Sequence, residues 1–178
     1  MFAVFIIYVN MADPKNPHLF LTENTLRETI ELLYFSYRDF THVADNILGA
    51  YGFGRAHHRV LYFVGRYPER SVGSLLKLLR ITKQSLSRVL KELIDQGFIA
   101  QRQDLEDKRI KILTLTDQGH ILEKKLSNAQ KELIEKAFFL SEPDGVYHFH
   151  SILLGLIQNE EDRKLFKNPD PQYIAKTG

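Results

Sequence analysis

"TKQSLSRVLKELIDQGFIAQRQDLEDKRIKILTLT", residues 82–116, decides how the rest of the chain is read. Its first half puts Leu86, Val89, Leu90 and Leu93 on one helical face, with Thr82 as N-terminal cap and Gly97 as the stop. The opposite face carries Lys83, Gln84, Ser85, Ser87, Arg88 and Lys91. Short and long hydrogen-bonding side chains in the first two turns suit a helix that enters the major groove of DNA. The free N–H groups and partial positive charge at its start favour a phosphate near Thr82. Taken alone, a plain amphipathic surface helix explains the same residues equally well.

The second half of the stretch supplies the context. "FIAQRQ" and "RIKILTL" alternate like two strands, joined by the loop from Asp104 to Arg109. Residues 101–111 hold four bases and three acids. Such a ribbon carries Arg102, Lys108, Arg109 and Lys111 out past the helix, where an arginine at the tip is suited to a narrow, electronegative minor groove. Bare like charges would splay the loop, and Asp107 is spaced to hold Arg109 in a charge-assisted bidentate contact. The alternative is a solvated hairpin turn whose ion pairs contribute under about 1 kcal/mol.

Outward from this stretch the chain reads as helices. "SVGSLLKLLRI" is a short one capped by Ser71 or Ser74, and "RAHHRVLYFVGRYPERS" is another, stopped by Gly65 and Pro68. Upstream, Leu26, Ile30, Leu33, Tyr37, Phe40, Ala44 and Ile47 form one apolar stripe on a long helix. Thr22, Asn24 and Thr25 are its candidate caps, with Glu28 pairing Thr25 in a capping box, and Gly49, Gly52 and Gly54 end it. Downstream, Leu122, Leu126, Ala129, Leu133 and Ala137 mark a second long helix. A last helix follows, capped by Ser141, with Pro143 in its first turn and Val146, Phe149, Leu153 and Leu156 inside. Four helices, a hairpin and two helices make a mainly α chain with a small β-wing, a winged helix-turn-helix pattern.

Composition narrows the function. The 178 residues contain 44% hydrophobic and 26% charged residues and no cysteine, so disulfides, thiolate metal sites and cysteine redox switches are excluded and a cytoplasmic setting is expected. The net charge of +2 is uneven: residues 66–111 hold eleven Lys/Arg against six Asp/Glu, while both flanks are net negative. A basic centre is the footprint expected for a polyanion partner. The opening "MFAVFIIYV" is too short to span a bilayer and lacks the basic region and cleavage site of a signal peptide.

The segments "SVGSLLKLLRITKQSLSRVLKELIDQGFI" and "RQDLEDKRIKILTLTDQG", with a D-x-R pair and a following L-T-x-x-G, resemble the MarR family of bacterial transcriptional regulators over about residues 24–166. The resemblance implies a dimer that reads a pseudo-palindromic operator on double-stranded DNA, in a family whose members are more often repressors. It implies major-groove roles for Lys83, Gln84, Ser85, Ser87 and Arg88, and minor-groove insertion of Arg109 braced by Asp107. One departure from the family is the usual second basic residue beside that arginine, which here is Lys108, a change expected to weaken a phosphate contact but not the wing. The expected organisation is a flexible extension over 1–22, a dimerisation helix over 23–53 and the DNA-binding domain over 54–115. C-terminal dimerisation helices over 116–167 and a flexible tail over 168–178 complete it.

The resemblance also implies a small aromatic or anionic effector, for which Tyr34, Tyr37, His42, His57, His58 and Tyr62 are candidate lining residues, although core packing accounts for each singly. His57–His58 and His148–His150 are one and two residues apart and do not share a helix face, so no metal is expected. No nucleophile elbow, phosphate loop or cofactor turn is present, so neither a cofactor nor catalysis is expected. The rival function is a winged-helix protein–protein module that does not bind DNA.

Overall fold

Residues 21–166 are described by the computed structural model. The chain divides into two units, residues 1–43 and 44–178, and helix α1 (Glu23–Gly49) runs through the boundary. The apolar opening, nearly all of the extension over 1–22 and the whole tail over 168–178 lie outside the described residues.

In the first unit, Thr22 caps α1: its Oγ1 accepts from the Thr25 amide at 3.1 Å. Thr25 is thereby the recipient's partner rather than the cap, and the expected capping box with Glu28 is not the one formed. Leu26, Ile30, Leu33 and Tyr37 lie on the exposed surface, Ile30 at 67%. Their spacing is helical, as expected, but nothing among the described residues covers them.

In the second unit the rest of α1 contributes Ala44 and Leu48 to the core. Then follow α2 (Arg55–Arg66), β1 (Arg70–Ser71), α3 (Val72–Leu79) and α4 (Lys83–Asp95). After them come β2 (Ile99–Gln103), β3 (Lys111–Leu115), α5 (Asp117–Phe139), α6 (Gly145–Leu156) and α7 (Glu160–Lys164). Leu61, Leu75, Leu86, Leu93, Phe98, Leu113 and Leu122 are almost wholly buried together, so helices α2 to α5 and the sheet share one hydrophobic core. Burial of this kind, at roughly 25 cal/mol per Å² of apolar surface, is what fixes α4 against the body of the fold.

Three expectations need correction. Gly65 does not stop α2, which continues to Arg66 and leaves the helix at Tyr67, the residue that Pro68 disfavours in helical conformation. The wing is not a lone hairpin: the sheet has three strands in the order β1-β3-β2, with Ser71 and Arg102 opposite Ile112 on its two sides. A two-residue strand has no periodicity to read. The last helix is two helices: the backbone turns extended at Ile157, and Asn159 caps α7 by accepting from the Asp162 amide. Ser141 caps neither, since its hydroxyl donates to the Phe138 carbonyl. Pro143 precedes α6, and Phe149, Leu153 and Leu156 are exposed rather than inside.

Candidate nucleic-acid interface

Helix α4 is started by Thr82, whose Oγ1 accepts from the Ser85 amide at 3.2 Å and whose hydroxyl donates to Ser85 Oγ at 2.8 Å. Leu86, Val89, Leu90 and Leu93 face the core, which leaves Lys83, Gln84, Ser85, Ser87, Arg88 and Lys91 exposed. Residues four apart on a helix are neighbours. Lys83, Ser87 and Lys91 therefore form one strip, and Gln84 and Arg88 the strip beside it.

The first strip and the wing enclose a cleft of about 680 Å³. Helix α4 lines it with Lys83, Ser87, Leu90, Lys91, Ile94 and Asp95. The sheet side contributes Gln101, Arg109, Ile110 and Lys111, and the start of α3 contributes Ser71, Val72 and Gly73. Lys83, Lys91, Arg109 and Lys111 thus converge on one concave surface. Thr82, Gln84, Ser85 and Arg88 are exposed on α4 outside this lining, and Lys108 is exposed on the loop.

The loop is held by its own carboxylates. Asp104 accepts from the amides of Glu106 at 2.9 Å and Asp107 at 3.1 Å, and its amide donates to the Ile110 carbonyl. Asp107 in turn accepts from Arg109 Nε and Nη2, each at 3.0 Å, and from the Arg109 amide. The Arg109 side chain is 91% exposed, so its fork is oriented without being buried. Both carboxyls are held below the usual aspartate value of 3.8, Asp104 by the two amides and Asp107 by Arg109. A depressed folded-state value means that the stabilisation is present above the ordinary value and is lost as pH falls through the depressed one. The hydrogen bonds that these two carboxylates accept therefore persist as pH falls into the ordinary aspartate range and are lost below it. A carboxyl titration of Asp104 and Asp107 by NMR that found ordinary or raised values would contradict this.

Arg102 behaves differently. Successive strand residues point to opposite faces of a sheet, and its neighbour Gln101 lines the cleft. Arg102 instead donates to Glu69 at 2.8 Å, tying β2 to the turn before β1. Sequence reasoning left out Gln101 and Asp95 and stopped short of assigning Lys111 a contact. Alternation along β3 could have found Lys111, which shares a face with Leu113 and Leu115, and helical spacing from Lys91 could have found Asp95.

The effector candidates are distributed along two helices. Tyr34, Tyr37 and His42 are exposed on α1. His57 is buried: its Nδ1 accepts from the Gly54 amide at 3.1 Å, which leaves Nε2 to donate to Glu92 at 2.6 Å. It stacks on Phe53 and links the start of α2 to α4. His58 is half-buried, with Nε2 lacking a hydrogen-bond partner among the described residues; burial lowers its pKa against the opposing pull of Glu123 and Asp45. Tyr62 is exposed and meets Phe63 edge-on. Among the described residues no group of three or more His, Asp or Glu side chains could hold a metal ion. No helix among them is long and apolar enough to cross a membrane.

A family model described as MarR family matches residues 51–110, which takes in α2, α3, α4, β2 and the loop after it, and stops before β3. The HTH-type transcriptional regulator PetP of Rhodobacter capsulatus is 44% identical over 147 residues, covering 80% of this chain and 89% of that protein. The structure of Streptococcus pneumoniae FabT in complex with DNA superimposes with a TM-score of 0.68 at 19% identity, over 77% of this chain and 98% of that one. A mutant MarR from E. coli complexed with operator DNA gives 0.60 at 18% identity, over 75% and 96%. At those identities the two structures establish the winged-helix fold alone, while the sequence relative is a transcriptional regulator rather than an enzyme. With the family match and the relative in agreement, this chain belongs to the MarR family.

Proposed function

We propose that the protein is a dimeric, sequence-specific DNA-binding transcriptional regulator, acting as a repressor from the cytoplasm. It reads a pseudo-palindromic operator with α4 in the major groove and Arg109 in the minor groove. The observation that carries this is the convergence of Lys83, Lys91, Arg109 and Lys111 on one cleft between helix and wing. A protein-binding winged helix has no need of four cations there, whereas phosphate contacts require them. Lys83, Gln84, Ser85, Ser87 and Arg88 would meet base edges and flanking phosphates, with Thr82 presenting the helix start. Lys91 and Lys108 would meet phosphates, and Asp107 would brace Arg109. Arg102 has the weakest claim, being engaged with Glu69.

Dimerisation is supported by the apolar residues that one chain leaves in solvent. Leu26, Ile30 and Leu33 on α1 and Phe149, Leu153 and Leu156 on α6 are exposed. Uncovered stripes of this kind belong to interfaces, and a two-fold dimer sets two recognition helices about one DNA turn apart. Helices within 23–53 and 116–167 would supply that interface around a DNA-binding domain at 54–115. A small aromatic or anionic effector belongs to the same proposal; of its candidate residues, His57 is already occupied on both nitrogens, while His58 Nε2 has no hydrogen-bond partner among the described residues.

A mobility shift with the DNA upstream of the chain's own gene tests the reading. If about 6–10 phosphates are contacted, affinity falls by roughly 10³ to 10⁵ between 50 and 200 mM salt. No shift, or one indifferent to salt, contradicts it.

A further inference from the structure

We propose that Asp95 is an affinity-limiting residue of the DNA interface: by holding the Lys91 ammonium inside the cleft, it withdraws one phosphate-neutralising charge from each protomer. The inference rests on the DNA-binding reading and adds to it a residue that works against binding.

Asp95 lines the same cleft as Lys83, Lys91, Arg109 and Lys111, and is the one acid among those lining residues. It pairs with Lys91 one helical turn away, both side chains being largely exposed. Helix stability does not account for it. Asp95 is the last residue of α4, where a negative charge opposes the partial negative charge of the helix C-terminus. The pair also runs with the base on the N-terminal side of the acid, the less favourable orientation for residues four apart. What remains is the effect on the cleft. Hydrogen bonding to Asp95 raises the Lys91 pKa, the direction expected where an ammonium is paired with a carboxylate. A phosphate approaching this side of α4 must compete with Asp95 for Lys91, and it meets the carboxylate's own charge as well. Among the lining residues no acid other than Asp95 stands beside the cleft's cations; Arg109 is paired with Asp107 on its own loop, outside the lining. The outcome is binding that is weaker, and more easily released, than the number of cations implies.

The test uses the full-length protein, a duplex carrying its operator and a random duplex of equal length, with affinities measured at 50 and 200 mM salt. Asp95→Asn keeps the size and removes the charge. Its expected result is tighter binding to both duplexes, with a salt slope steeper by about 0.9 for each Lys91 released, about 1.8 for a dimer. The advantage over wild type is then roughly tenfold greater at 50 than at 200 mM. In a Lys91→Ala background the added slope disappears. A merely structural role for Asp95 would move thermal stability and leave the slope alone. Wild type that binds, with Asp95→Asn equal in slope or weaker in affinity, overturns this inference and leaves the function standing; weaker binding would make Asp95 a support for Lys91 instead. Wild type that binds neither duplex overturns both.

Discussion

Arg109→Ala weakens operator binding by roughly thirtyfold or more and leaves the fold as it was. The magnitude follows from about 1–3 kcal/mol for one lost arginine contact, incurred twice in a two-fold complex. The fold survives because the side chain is 91% exposed and its hydrogen bonds go to Asp107 on the same loop. Arg109→Lys retains the charge but not the planar fork that Asp107 orients, so it recovers part of the loss. Asp107→Asn keeps the fork and loosens its aim, and should fall between. Fluorescence anisotropy with labelled operator, paired with a sizing measurement, checks all three. Arg109→Ala with unchanged affinity would remove the wing from recognition altogether.

The second large effect concerns stability. Gly119→Ala should cost about 3 kcal/mol, the upper end for overpacking a filled site. A Cβ at Gly119 would stand 2.0 Å from the Phe98 carbonyl oxygen and 3.3 Å from Leu115 Cβ, and backbone cannot step aside as a flexible side-chain end can. That carbonyl also accepts from the Thr116 amide at 3.1 Å, so displacing it breaks the join between β2 and the start of α5. In a domain of this size the loss corresponds to a Tm lower by roughly 6–12 °C, read by thermal denaturation. An unaltered Tm would mean that the close approach of α5 to Phe98 is not as described.

That site also shows what the sequence made legible. Thr116 and Gly119 were visible as L-T-x-x-G, and the structure supplies the reason. Thr116 Oγ1 accepts from the Gly119 amide and its hydroxyl donates to the Gly97 carbonyl, while Gly119 leaves room for Phe98. Thr82 and the Asp107–Arg109 pair were legible for the same cause: each interaction closes within three residues, so spacing alone implies it. Features that depend on distant chain were not. β1 is two residues long and exists because Leu113 and Ile112 offer a free edge. The break between α6 and α7 lies inside a polar run whose Asn159 reads equally well as helix surface. Arg102 looked like the other wing cations, and only the three-stranded register shows that it faces Glu69. The stripes on α1 and α6 were legible as stripes, but a single chain does not say what covers them.

One footprint bears on the central claim most directly. Guanine methylation reports the major groove, and hydroxyl-radical cleavage reports the minor groove and backbone. With wild-type protein the account predicts two protected major-groove patches about 10–10.5 base pairs apart. Each is flanked by a minor-groove protection that vanishes with Arg109→Ala. A single protected patch, or minor-groove protection that persists without the arginine, would contradict it.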